Sequence, residues 1–183
     1  MNWEPPLADA PFTEGRRSRL RTAKQYMRRG ITGLLDAFRE SLEEVKDGAK
    51  VVFTGTIGVC TPFTELLAYS VRNRNFEMVY VPNADVSKAK RMKFVEDIGY
   101  CVADEPADPK NADVVVVLGG LAMPKYPCDA EDVLKFLREV CKPSAKVIGF
   151  CFMNIFERQS WLSKIEFDTV INGTIDVEVK RKS

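Results

Sequence analysis

A three-layer α/β/α domain around a mostly parallel, Rossmann-like or flavodoxin-like sheet follows from three properties of this chain. Short runs of valine, isoleucine and phenylalanine alternate with segments whose apolar residues recur at helical spacing, the order in which helices cover both faces of a parallel sheet. Residues 113–118 hold four consecutive valines, as a strand buried on both sides requires. At 183 residues the chain is long enough to bury such a sheet as one domain.

Residues 1–12, rich in proline and acidic side chains, suit a loose arm. Residues 14–29 carry Arg16, Arg17, Arg19, Arg21, Lys24, Arg28 and Arg29 around a thin stripe of Leu20, Ala23 and Met27, which predicts a basic helix. Residues 1–29 therefore form an N-terminal helical extension and residues 30–183 a single α/β domain. Beyond Gly30, Ile31, Leu34, Leu35, Phe38, Leu42 and Val45 share one helical face up to Asp47-Gly48. Residues 51–54 are the first strand, and Phe63, Leu66, Leu67 and Val71 mark its helix. Residues 78–81 are the second, leading through Pro82-Asn83 into a charged helix over 85–98. Residues 100–103 suit an edge strand, after which Pro106 and Pro109 impose a loop.

The valine strand at 113–118 returns through a helix that opens near Asp129, with Glu131 and Asp132 in its first turn, and stops before Pro143. Strands at 147–150 and 167–171 flank a short helix over 155–162. Asn172-Gly173 then separates the last strand from Ile175, Val177 and Val179, which alternate with polar residues. That pattern predicts an antiparallel hairpin at the C-terminal edge of the sheet.

Charge and composition remove several function classes. With 27 basic and 26 acidic residues no global field attracts nucleic acid or an anionic membrane, so the basic stretch at 16–29 is the one local candidate for such a grip. The longest apolar stretch, residues 114–123, falls short of the roughly 18–20 residues a membrane span needs. The N-terminus lacks the basic-then-apolar order of a signal peptide, so a cytoplasmic setting is expected. Five cysteines without a CxxC pair signal neither a disulfide framework nor a compact zinc site. Histidine is absent, which removes Cys-His and Ser-His pairs and leaves acid–base work to shifted carboxylates, lysines or thiols.

Ligands of open parallel sheets sit beyond the carboxyl ends of the strands, where the winding reverses. In the flavodoxin-like order 2-1-3-4-5 that crevice is faced by residues 55–61 and 119–125, both glycine-bearing. In the first loop Gly55 and Gly58 permit close approach or positive φ, Thr56 and Thr61 offer hydroxyls, Thr61 can cap, and Pro62 suits a first helical turn. Such a loop suits a phosphate or carboxylate, although it matches neither the GxGxxG nor the P-loop pattern and contains no cation. It is equally a tight turn with a good helix start. Cys60, just before that helix, is the candidate reactive group; a small buried side chain is the alternative, favoured by the absence of a histidine base. In the second loop, opened by Gly119 and Gly120, Met123 and Tyr126 suit an apolar or stacking wall or a cover for the core, and Lys125 would supply the missing positive charge or stand solvated. Asn83, Cys151 and Asn154 lie at two further strand ends.

The motifs Gly-Val-Cys-Thr-Pro-Phe at 58–63, Val-Pro-Asn at 81–83 and Leu-Gly-Gly-Leu-Ala-Met-Pro-Lys at 118–125 resemble an archaeal domain-of-unknown-function family, DUF2124, seen chiefly in methane-producing archaea. The resemblance runs from about Gly30 to Ile171 and implies an α/β three-layer fold in an archaeal cytoplasm; it supplies no activity, cofactor or catalytic residue. Three functions fit these residues. The crevice holds a small anionic ligand such as a nucleotide or phosphorylated coenzyme; or the domain is an interaction protein working through its basic helix, its hairpin edge or homo-oligomer contacts; or its cysteines make it a redox or metal carrier.

Overall fold

The computed structural model describes residues 25–124, 126 and 128–182. Its elements are α1 (Gly30–Ser41), β1 (Lys50–Gly55), α2 (Thr61–Ser70), β2 (Glu77–Pro82), β3 (Lys90–Val95), β4 (Gly99–Pro106), β5 (Ala112–Leu118), α3 (Ala130–Val140), β6 (Cys141–Phe152), α4 (Ile155–Arg158) and β7 (Thr169–Gly173). The seven strands form one sheet in the order β4-β3-β2-β1-β5-β6-β7. β2, β1, β5, β6 and β7 run parallel, which is the expected 2-1-3-4-5 order, with β3 and β4 antiparallel beyond β2.

Strand periodicity explains why the valine run is wholly buried. Val115 and Val117 of β5 join Val52, Val79 and Val147 on one face, beneath Val133, Phe136, Leu137 and Val140 of α3 and the aromatic group Phe156, Trp161 and Phe167. Val114 and Val116 join Val51, Phe53, Met78, Ile148 and Phe150 on the other, beneath Phe38 of α1, Leu42 and Leu67 of α2. Both faces are thus covered, so β5 lacks the alternating polar residues of a half-exposed strand. α3 begins with a reciprocal cap: the Asp129 carboxylate accepts the Asp132 N–H at 2.9 Å and the Asp132 carboxylate accepts the Asp129 N–H at 3.2 Å.

Two expectations are corrected here. The segment 85–98 is not a helix: after a 3-10 turn at Val86–Lys88 it forms β3 and turns back at Asp97 and Gly99, both with positive φ, into β4. Its charges, which mimic a solvated helical face, are cross-strand partners instead, with Lys90 on Asp104 and Lys93 on Glu105. Phe94 packs edge-on to Tyr100 with centroids 5.6 Å apart. The hairpin at Asn172-Gly173 is also absent. Both residues lie inside β7, paired in parallel with Cys151 and Phe152 of β6. Gly173 serves close packing rather than a turn, because a Cβ there would stand 2.6 Å from the Phe152 ring. The basic helix expected over 14–29 falls largely outside the described residues, and residues 25–29 are not helical.

Candidate functional site

The site begins with how the ends of β1 and β2 are tied. The Thr54 hydroxyl, fully buried, donates to the Val81 carbonyl at 2.9 Å and accepts the Ala84 N–H at 3.1 Å. The Gly55 carbonyl accepts both the Asn83 N–H at 2.9 Å and the Tyr80 hydroxyl at 3.0 Å. Asn83 and Ala84 consequently both sit at positive φ, a costly arrangement for alanine. Burial pushes the Tyr80 phenol up to about 12, so it stays a donor.

Beyond Gly55 the chain makes a turn closed by the Cys60 N–H on the Thr56 carbonyl at 3.0 Å, with Gly58 at φ +80. Cys60 rather than Thr61 is the residue before α2, it makes no side-chain cap, and its carbonyl accepts both the N–H and the hydroxyl of Thr64. Its own amide is therefore committed to the turn. The expected capping by Thr61 is corrected accordingly: Thr61 is the first helical residue, followed by Pro62.

The two glycine-bearing turns meet. A Cβ on Gly120 would lie 2.3 Å from Cys60 Sγ and 2.5 Å from Thr56 Oγ1, and the sulfur and hydroxyl are themselves 3.3 Å apart. A Cβ on Gly119 would lie 2.6 Å from that of Cys151, and one on Gly55 would lie 2.5 Å from that of Cys60. Glycine at these positions lets three strand ends converge. Around them is a cavity of about 270 Å³, walled by Val59, Cys60, Phe63, Leu118, Gly119, Gly120, Met123, Phe150, Cys151, Phe152, Met153 and Ile155.

Of the residues singled out in the sequence, Cys60, Gly119, Gly120, Met123 and Cys151 share this wall, with Gly55 and Thr56 packed behind it. Gly58 and Thr61 shape the turn and the helix start. Asn83 lines a separate open depression with Asp85, Asp132, Lys135 and Glu139 on the α3 side. Asn154, at φ +55, gives its N–H to the Asn172 side chain at 2.8 Å between the wall residues Met153 and Ile155. Lys125 lies outside the described residues. Among the described residues the wall contains no charged side chain, so the positive partner expected for an anion is not found there.

The aromatic part of the wall carries no mark in the polar loop residues. Phe63 packs against Phe150 and Phe152 with centroids 6.3 and 4.7 Å away. The readable signal was the two-residue spacing of Phe150 and Phe152, which turns both rings to the side where α2 begins.

The thiols differ in setting. Cys151 Sγ lies 3.5 Å from the Asn172 side-chain oxygen, and burial pushes its thiol from 9.0 up to about 11. Cys128 is shifted to about the same value, by burial first and then by Asp132 and Asp129. A thiol that holds its proton more tightly when folded adds stability that is complete below pH 9.0 and lost as pH rises through about 11. The urea midpoint should therefore fall across that interval, and fall less in Cys151→Ala; an equal fall in both proteins would remove Cys151 from the account.

Among the described residues no group of three or more Cys, Asp or Glu stands where it could hold a metal ion, and no helix is long and apolar enough to cross a membrane. Residues 29–176 match the family described as "Uncharacterized protein conserved in archaea (DUF2124)", and the chain belongs to that family. An uncharacterised protein of Methanothermobacter thermautotrophicus is 41% identical over 153 residues, covering 84% of this chain and 95% of the relative. An uncharacterised protein of Methanocaldococcus jannaschii is 36% identical over 149 residues, covering 80% and 89%. A crystal structure of a protein of unknown function from M. thermautotrophicus, 38% identical, superposes with a TM-score of 0.79 over 88% of this chain and 99% of its own.

Proposed function

We propose that this protein binds a small molecule at the mouth between β1 and β5, seating a flat apolar group in the cavity. An anionic group on the same molecule, such as the phosphate of a nucleotide or phosphorylated coenzyme, would face the first turn of α2. The observation that carries the reading is the cavity itself, placed where the parallel winding reverses and walled by both glycine-bearing turns. Its volume of about 270 Å³ suits one ring system or a short chain, with the rest of the ligand outside. Phe63, Phe150 and Phe152 with Met123 and Met153 offer ring faces and polarisable sulfur. Met153 and Asn154 both hold positive φ at the rim, fixed there by their N–H groups on the Gly173 carbonyl and the Asn172 side chain, at 2.9 and 2.8 Å in turn.

Binding fits better than catalysis. No base stands in the described wall beside Cys60, and Cys151 is held as a neutral thiol. Cys60 then contributes its sulfur to the wall rather than attacking a substrate. Titration calorimetry with adenine, adenosine monophosphate and inorganic phosphate tests the two halves separately. Heat from the first two and none from phosphate is expected, and Val59→Trp, which fills the rim from a position 40% exposed, should abolish it while leaving the melting temperature within a few degrees. Silence from all ligands at about millimolar concentration, a weak-binding limit of roughly 4 kcal/mol, would overturn the proposal.

A further inference from the structure

The two edges of the sheet differ in how they are protected. On β4 the Val102 N–H donates to the Glu65 carboxylate at 3.2 Å, and charged Asp104 and Glu105 stand on the strand with their lysine partners. These are devices that discourage another strand from adding. β7 ends the sheet on the other side, and among the described residues no strand pairs beyond it. Past Gly173 the chain carries Ile175, Val177 and Val179 exposed by 52%, 77% and 69%. Glu178 and Lys180 between and beyond them pair at 3.2 Å, as side chains two apart on one side of a strand do. The segment has the pattern of a half-buried strand and nothing to bury against. It does not fold back on its own β7: Asn172 and Gly173, the residues suited to a turn, are consumed in the pairing with β6.

The geometry points to a second copy of this chain: residues 174–182 of each copy add antiparallel to the outer edge of the other's β7. One register keeps the apolar residues of both copies on one face. Setting Val177 opposite Ile171 of the other copy places Ile175 opposite Gly173 and Val179 opposite Thr169. Residues opposite one another share a face, so the three aliphatic side chains extend the Ile171 face towards α1, where Leu34 packs by Gly173 and Ile31 is 51% exposed. A slip of one residue would turn the aliphatic groups to the other face. Each copy gives and receives the same strand, so the arrangement closes as a two-fold dimer rather than growing into a fibre.

Sedimentation of the full chain tests this, over about 1–100 μM, the range in which a modest interface dissociates. A dimer is expected for the unaltered protein. Val177→Asp, at an exposed position, should weaken it at least about tenfold without lowering the melting temperature of the monomer. Thr169→Cys combined with Val179→Cys should give a disulfide-linked dimer on oxidation that neither single change gives. A monomer throughout the range, a dimer indifferent to Val177→Asp, or no cross-link from the paired cysteines would each overturn the proposal.

Discussion

Gly120→Ala lowers the stability of the protein by about 1–3 kcal/mol, the usual cost of forcing extra volume into a filled site. The added methyl has no room: Cys60 Sγ and Thr56 Oγ1 both lie within 2.5 Å of its position, and Thr56 is fully buried. The loss is expected to be specific to that contact. Cys60→Ala removes the nearer obstacle, so the double variant should be more stable than the sum of the two single effects predicts, by an interaction of roughly 0.5–3 kcal/mol in a double-mutant cycle. Urea unfolding of the four proteins supplies the cycle. Strict additivity would mean that the two turns do not press on each other.

Phe150→Ala has the larger effect, about 3–5 kcal/mol, because the ring is 1% exposed and its removal leaves a hole next to an existing one. Phe150 stands between the sheet and the cavity, with Phe63 and Phe152 against it. The cavity is expected to widen towards the core, so an apolar probe should stabilise this variant more than it stabilises the unaltered protein. Thermal unfolding with and without benzene measures both effects together. A cost under about 1 kcal/mol would show that the neighbouring rings collapse into the space.

The parallel core was legible because burial on both faces leaves a mark in composition. Val114 to Val117 cannot be anything but interior, and Val133, Phe136, Leu137 and Val140 repeat at helical spacing above them. The β3–β4 pair was not legible for the opposite reason. Only Met92 of β3 is buried, so the strand has no clean alternation, and its lysines read as a solvated helix until their cross-strand acids are seen. Asn172-Gly173 misled because the same dipeptide that permits a turn also permits close packing, here against Phe152. At the proposed site, glycine and cysteine mark the turns that line the cavity. They gave no hint of its character, which comes from Phe63 and Phe152, contributed by segments far apart in sequence.

The excursion of the chain through β3 and β4 has a consequence for how quickly the molecule assembles. That hairpin is local and forms on the scale of microseconds, whereas β1 must wait for β5, with Lys50 and the Asp113 carboxylate that accepts its N–H standing 63 residues apart. Closing this long loop is expected to set the pace. Sequence changes confined to the hairpin therefore act mainly on how fast the protein comes apart, and those at the β1–β5 seam on how fast it goes together.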